Sequence, residues 1–237
     1  MDAVANIQLS SEPTEGGHLV DKDGIPDLKA ASHVSSRALF WHRDLGADET
    51  IDSLHSTLFA QLAANATSGD GIEGWLESYE KLLNTMGWVT RTEQSESMVH
   101  DVPGPIAADI VDWSMRGSVD AAFSSVVART VLGLAGASPD LIDTFNTAAR
   151  SKDNKEALFQ VGWFSSIEKE LTFHTIVCSY KSEKDIEDVL FAHQMKKLDL
   201  NIRYIKAVLT QKVYEGIKTG VKKRIMPFVK TSISPIV

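Results

Sequence analysis

A chain of 237 residues with 43% hydrophobic and 24% charged side chains holds enough apolar material for a packed core, which excludes wholesale disorder. Its net charge of −8 lacks the basic excess of a nucleic-acid-binding domain, so no nucleic-acid partner is expected. A single cysteine, Cys178, excludes an internal disulfide framework.

The N-terminal run MDAVANIQLSSEPTEGG has neither the basic start nor the apolar run of a Sec signal. No stretch approaches the roughly 20 apolar residues that span a bilayer. The expectation is a cytoplasmic protein, or one released without a Sec signal, that meets membranes only at their surface. Residues 1–30 are rich in Ser, Glu, Asp, Gly and Pro and read as a flexible arm. Residues 31–237 read as one globular domain.

His33 to Trp41 suits a strand. Asp48 caps a helix expected to reach Asn65, with Ile51, Leu54, Leu58 and Leu62 at helical spacing. A second helix is expected from Gly71 to Met86, its stripe being Trp75, Tyr79, Leu82, Leu83 and Met86, with Gly87 as the stop. Trp88 to Val99 alternates like a strand. Beyond Pro103-Gly104-Pro105, a short helix is expected over 106–115 and a strongly apolar one over 119–134. Pro139 opens another, just inside its start. From Ala157 the character changes to β-rich runs over 157–167 and 171–180, followed by an alternating run from Phe191 to Leu209. A basic helix from Gln211 to Ile225, stopped by Pro227, ends the chain. Helices gathered in the first two thirds and paired strands in the last third define an α+β class with a largely antiparallel sheet.

Gly69-Asp70-Gly71-Ile72-Glu73-Gly74 fits the dinucleotide fingerprint only on paper. A helix rather than a strand leads into it, and Asp70 would repel a phosphate. The seven histidines show no metal-ligand spacing, so neither a metal nor a dissociable cofactor is expected. The last 32 residues carry about +6, leaving about −14 on the remainder. Lys212, Lys218, Lys222, Lys223 and Arg224 are the candidates for contact with an anionic membrane surface, and a solvated helix face is the plainer alternative.

Cys178 lies in the run Thr172-Phe173-His174-Thr175-Ile176-Val177-Cys178-Ser179-Tyr180. In a strand His174 shares its face, but four residues along is roughly 13 Å, too far for a direct hydrogen bond. His193 or His100 would have to approach from elsewhere. A buried small hydrophobe and a thioester-forming or catalytic thiol both remain open.

Two segments together resemble the Erwinia virulence factor (Evf) family. One is Trp75-Leu76-Glu77-Ser78-Tyr79-Glu80-Lys81-Leu82-Leu83-Asn84-Thr85-Met86-Gly87-Trp88-Val89. The other is Lys206-Ala207-Val208-Leu209-Thr210-Gln211-Lys212-Val213-Tyr214-Glu215-Gly216-Ile217, and their order joins with a lone cysteine, Cys178, about 60 residues from the end. The resemblance covers about residues 70–237. It implies a compact domain, a virulence, host-colonisation or insecticidal role, and a covalent palmitate on Cys178. It also implies lipid or membrane as partner; the host target is not indicated. The alternatives are an acyltransferase or thioesterase working through Cys178, and an interaction domain in which that cysteine is inert.

Overall fold

In a computed structural model the described residues are 4–9, 31–34, 37–42, 45–67, 71–100, 105–118, 121–135, 139–167, 170–191 and 198–235. Most of the expected N-terminal arm, and His193, lie outside them. Residues 4–9 are described, and Val4 is fully buried.

The strands are β1 (Ala31–Val34), β2 (Arg37–Trp41), β3 (Trp88–His100), β4 (Glu156–Ile167), β5 (Glu170–Lys181), β6 (Leu198–Leu209) and β7 (Ile233–Pro235). They form one sheet in the order β3-β6-β5-β4-β2-β1-β7. Every pairing is antiparallel except β2 beside β4. The helices are α1 (Ala47–Thr67), α2 (Gly71–Thr85), α3 (Ile106–Trp113), α4 (Ala121–Ala135), α5 (Pro139–Ala149), α6 (Gln211–Glu215) and α7 (Lys218–Ser232). A π-helical turn, Ser114–Ser118, follows α3. The class is α+β, in a single domain.

Side-chain alternation gives the sheet two apolar faces, and each is covered. Leu39, Trp41, Phe164, Phe173, Val177 and Ile205 meet α1, α2 and the C-terminal helices. Phe159, Val161, Trp163, Ile176, Cys178 and Ile202 meet α3, α4 and α5. The result is three layers, with the interior strand β5 buried from Leu171 to Tyr180. A strand covered on both sides usually reads as a continuous apolar run, and residues 171–180 depart from that only at the buried Thr172, His174, Thr175 and Ser179.

The helix α1 is buried all the way from Asp52 to Ala64. Its polar residues tolerate this because their hydroxyls bond back to the helix: Ser56 Oγ donates to Asp52 O (2.6 Å) and Thr57 Oγ1 to Ser53 O (2.8 Å). Indole donors complete the layer, with Trp41 Nε1 reaching Ser53 Oγ and Trp88 Nε1 reaching Ser56 Oγ, each at 2.9 Å.

Three expectations need correction. The strand placed at His33–Trp41 is two strands, β1 and β2, paired antiparallel with Val34 opposite Arg37. Of the alternating run from Phe191, Phe191 itself lies in a turn and Leu198–Leu209 form β6, the residues between them lying outside those described. The C-terminal helix is two helices, and α7 runs through Pro227, which sits on its exposed side. There the missing N–H costs less than it would against the core.

Candidate functional site

Cys178 occupies β5, an interior strand, with Phe159 opposite on β4 and Ile202 opposite on β6. Ile176 and Tyr180, two residues away on either side, are almost wholly buried on the same face. The cysteine itself is fully buried, and burial pushes its thiol well above the usual range. Desolvation favours the neutral thiol, so nothing here supports a thiolate. Tyr180 Oη turns away to donate to Val189 O at 2.9 Å. That bond closes the segment after β5 over this end of the layer.

Neither His174 nor His100 is placed as a base, and His193 lies outside the described residues. His174 shares the face of Cys178, but its Nδ1 lies 2.9 Å from Tyr204 Oη, and its ring packs 5.2 Å from Trp163 and 5.6 Å from Phe123 between centroids. His100 ends β3 opposite Leu198, whereas the residue opposite Ile202 is Glu96. Its backbone is therefore two strands across and four residues along from Cys178, on the order of 16 Å. Cys178 is thus a neutral thiol in an apolar layer, without an activating partner among the described residues.

The five basic candidates separate into two kinds. Lys212 on α6 and Lys222 and Lys223 on α7 are exposed. Lys218 is committed inward, its Nζ donating to Asp52 Oδ2 at 2.9 Å. Arg224 is committed as well, donating to the carbonyls of Val4 and Ile7 with its guanidinium 5.4 Å from the Phe59 ring centroid. It therefore ties the N-terminal residues to α7. All five lie in the layer opposite the one that holds Cys178, so the structure does not bring the two candidate sites together.

The interface of α1 with the C-terminal helices holds further titratable groups. Burial raises the Asp52 carboxyl, and Lys218 works against that rise. Desolvation pulls Lys218 down, but Asp52 together with Glu215 and Asp48 holds it above its ordinary value. His55, one turn along α1, is pushed down to about 4 by burial, with Lys222 and Lys218 adding to the effect. Among the described residues no cluster of His, Cys, Asp and Glu is arranged to hold a metal. No helix among them is long and apolar enough to cross a membrane.

One polar cluster was passed over in the sequence. Arg37, Gln61, Tyr79 and Gln160 are all buried on the α1–α2 side of the sheet or in the helices above it. A lone cation at the head of Arg37-Ala38-Leu39-Phe40-Trp41, and a lone amide in Phe159-Gln160-Val161, were the available signals.

Fold and site together define a three-layer α+β domain with one sealed cysteine. No family model matches the chain, and neither does any curated protein. Among the solved structures to which the chain is similar are the following two. One is a delta-endotoxin, 12% identical with a TM-score of 0.41, covering 74% of this chain and 83% of that one. The other is the Evf virulence factor, 11% identical with a TM-score of 0.35, covering 91% and 84%. At these TM-scores the likeness carries no argument about this chain.

Proposed function

We propose that this protein is a virulence- or toxin-type factor that acts at lipid surfaces and carries a fatty acyl chain as a thioester on Cys178. The observation that supports the reading best is the position of that thiol. A thioester exposed to water hydrolyses, whereas one on Cys178 would lie in an apolar layer between the sheet and α3–α5, out of reach of solvent. A palmitoyl chain buried there contributes on the order of 10 kcal/mol of hydrophobic free energy.

Loading is an exchange with an acyl thioester donor. The Cys178 sulfur forms a bond to the acyl carbon, the donor's carbon–sulfur bond breaks, and the Cys178 proton leaves with the donor thiol. The folded thiol is sealed and neutral, so this exchange belongs to a state in which the α3–α5 layer has not closed. The same burial disfavours repeated catalysis, which needs an activated thiolate at every turnover.

Membrane attachment by one acyl chain is marginal, and a basic patch supplies the second signal. The exposed Lys212, Lys222 and Lys223 serve in that role, while Lys218 and Arg224 hold the fold. Flotation with phosphatidylserine-containing vesicles tests this reading. Acylated protein is expected to float, and Cys178→Ser to stay in solution. Gln at positions 212, 222 and 223 together should weaken binding by about 1 kcal/mol per lysine. Equal flotation of wild type and Cys178→Ser contradicts the reading and leaves the cysteine as inert packing.

A further inference from the structure

On the other face of the sheet from Cys178, Arg37 is fully buried and has no carboxylate within ion-pair distance among the described residues. Its Nη1 donates to the Thr57 carbonyl of α1 at 3.1 Å and to Tyr79 Oη of α2 at 3.4 Å. Its Nε and Nη2 have no partner. Those two N–H groups form one edge of the guanidinium, the fork that matches the two oxygens of a carboxylate.

Gln160 stands directly beside Arg37. The two are register partners on the parallel strands β4 and β2, and their side chains share the α1–α2 face. Gln160 is only 1% exposed, and neither its Oε1 nor its Nε2 has a partner. Gln61, one turn beyond Thr57 on α1, is also buried with Oε1 unpartnered. Two residues further along the strands, Leu39 and Gly162 pair and close the layer against Phe173. The arrangement is therefore a sealed donor set, with Tyr79 and α1 above it and apolar side chains at one end.

A buried guanidinium keeps its charge, and a buried charge without a counter-ion is costly. Unpartnered buried polar atoms are individually rare, and here three residues supply them in one layer. A water on these atoms would satisfy hydrogen bonds but leave the charge uncompensated. An oxyanion does both.

We propose that Arg37 and Gln160 bind the carboxylate of a small organic acid between the sheet and α1–α2. The guanidinium edge takes both oxygens, and Gln160 Nε2 donates to one of them. The site is separate from Cys178 and holds whether or not that cysteine is acylated.

The test uses the full chain with acetate as the probe and inorganic phosphate as its counterpart, at constant ionic strength set with chloride. The thermal midpoint and the Arg37 Nε–H resonance are followed together. Acid-denatured protein is also analysed for a released organic acid, because a tightly held ligand would mask the response to acetate. Either an acetate-dependent rise in midpoint with movement of the Arg37 resonance, or one equivalent of organic acid released, is the expected result. Arg37→Met abolishes both, and Gln160→Met, which keeps the charge, raises the half-saturating acetate concentration about tenfold, as loss of one hydrogen bond to a charged group would. Insensitivity to acetate together with no released acid overturns the proposal. A phosphate response stronger than the acetate response overturns the assignment to a carboxylate.

Discussion

At the scale of single residues, two positions report on packing and charge. A Cβ added to Gly162 would stand 2.7 Å from both Leu39 Cδ2 and Phe173 Cε2, atoms of side chains that are themselves fully buried. Gly162→Ala should therefore destabilise the protein by about 1–3 kcal/mol, read as a lower urea midpoint with an unchanged slope. His55 is held at about 4 against an ordinary value of 6.5. The unfolded chain takes up the proton first, so stability is full above pH 6.5 and falls as pH drops toward 4, by about 3 kcal/mol. The raised Asp52 carboxyl has the opposite sign, gaining stability as pH falls, and offsets part of this. The difference between wild type and His55→Gln isolates the histidine, and it should shrink steadily from pH 6.5 to 4. Parallel curves would remove His55 as the cause. Neither residue was singled out in the sequence. A glycine in Val161-Gly162-Trp163 signals close approach, but not which side chains approach it. The histidine's burial depends on α7, some 160 residues away along the chain.

At the scale of elements, most of the chain was legible, because hydrophobic period and stop signals are local. The helix expected to start at Gly71 and the one opened by Pro139 both begin there, since Gly71 adopts a positive φ of 77° and proline suits the first turn. The elements that differed are those decided by contacts distant in sequence. Pro227 reads as a helix stop, yet α7 continues because Val221, Ile225 and Val229 are buried at i, i+4 and i+8 against the α1 side of the sheet. That docking depends on the ion pair of Lys218 with Asp52, whose carboxylate side chain is only 3% exposed. Lys218→Met leaves a buried charge alone and should lower stability by about 3 kcal/mol at neutral pH. The loss should become smaller in acid, where Asp52 is protonated. A loss independent of pH would mean that the lysine acts through packing of its stem alone.

At the scale of the whole molecule, the α+β class and the antiparallel β4–β5–β6 core were legible, and the layer assignment was not. Nothing local says that β2, from the first fifth of the chain, enters the sheet parallel to β4, or that β7 returns to pair with β1. For the same reason the sequence could place Cys178 and the basic helix on a strand and a helix, but not on opposite faces of one sheet. That separation sets a specific expectation for the proposed action at membranes. Acyl chain and lysines cannot meet one bilayer while the three layers stay closed, so lipid binding should loosen α3–α5 from the sheet. Amide hydrogen exchange should show lost protection in 106–149 on adding anionic vesicles, while β5 and α1 keep theirs. Unchanged protection there, with binding intact, would argue for attachment through the lysines alone.

The measurement that bears most directly on the central claim is the intact mass of the protein purified from the host that makes it, before and after neutral hydroxylamine. The account predicts an excess equal to one fatty acyl group, removed by hydroxylamine and absent from Cys178→Ser. An unmodified mass, or an excess that survives both treatments, would contradict a thioester on Cys178.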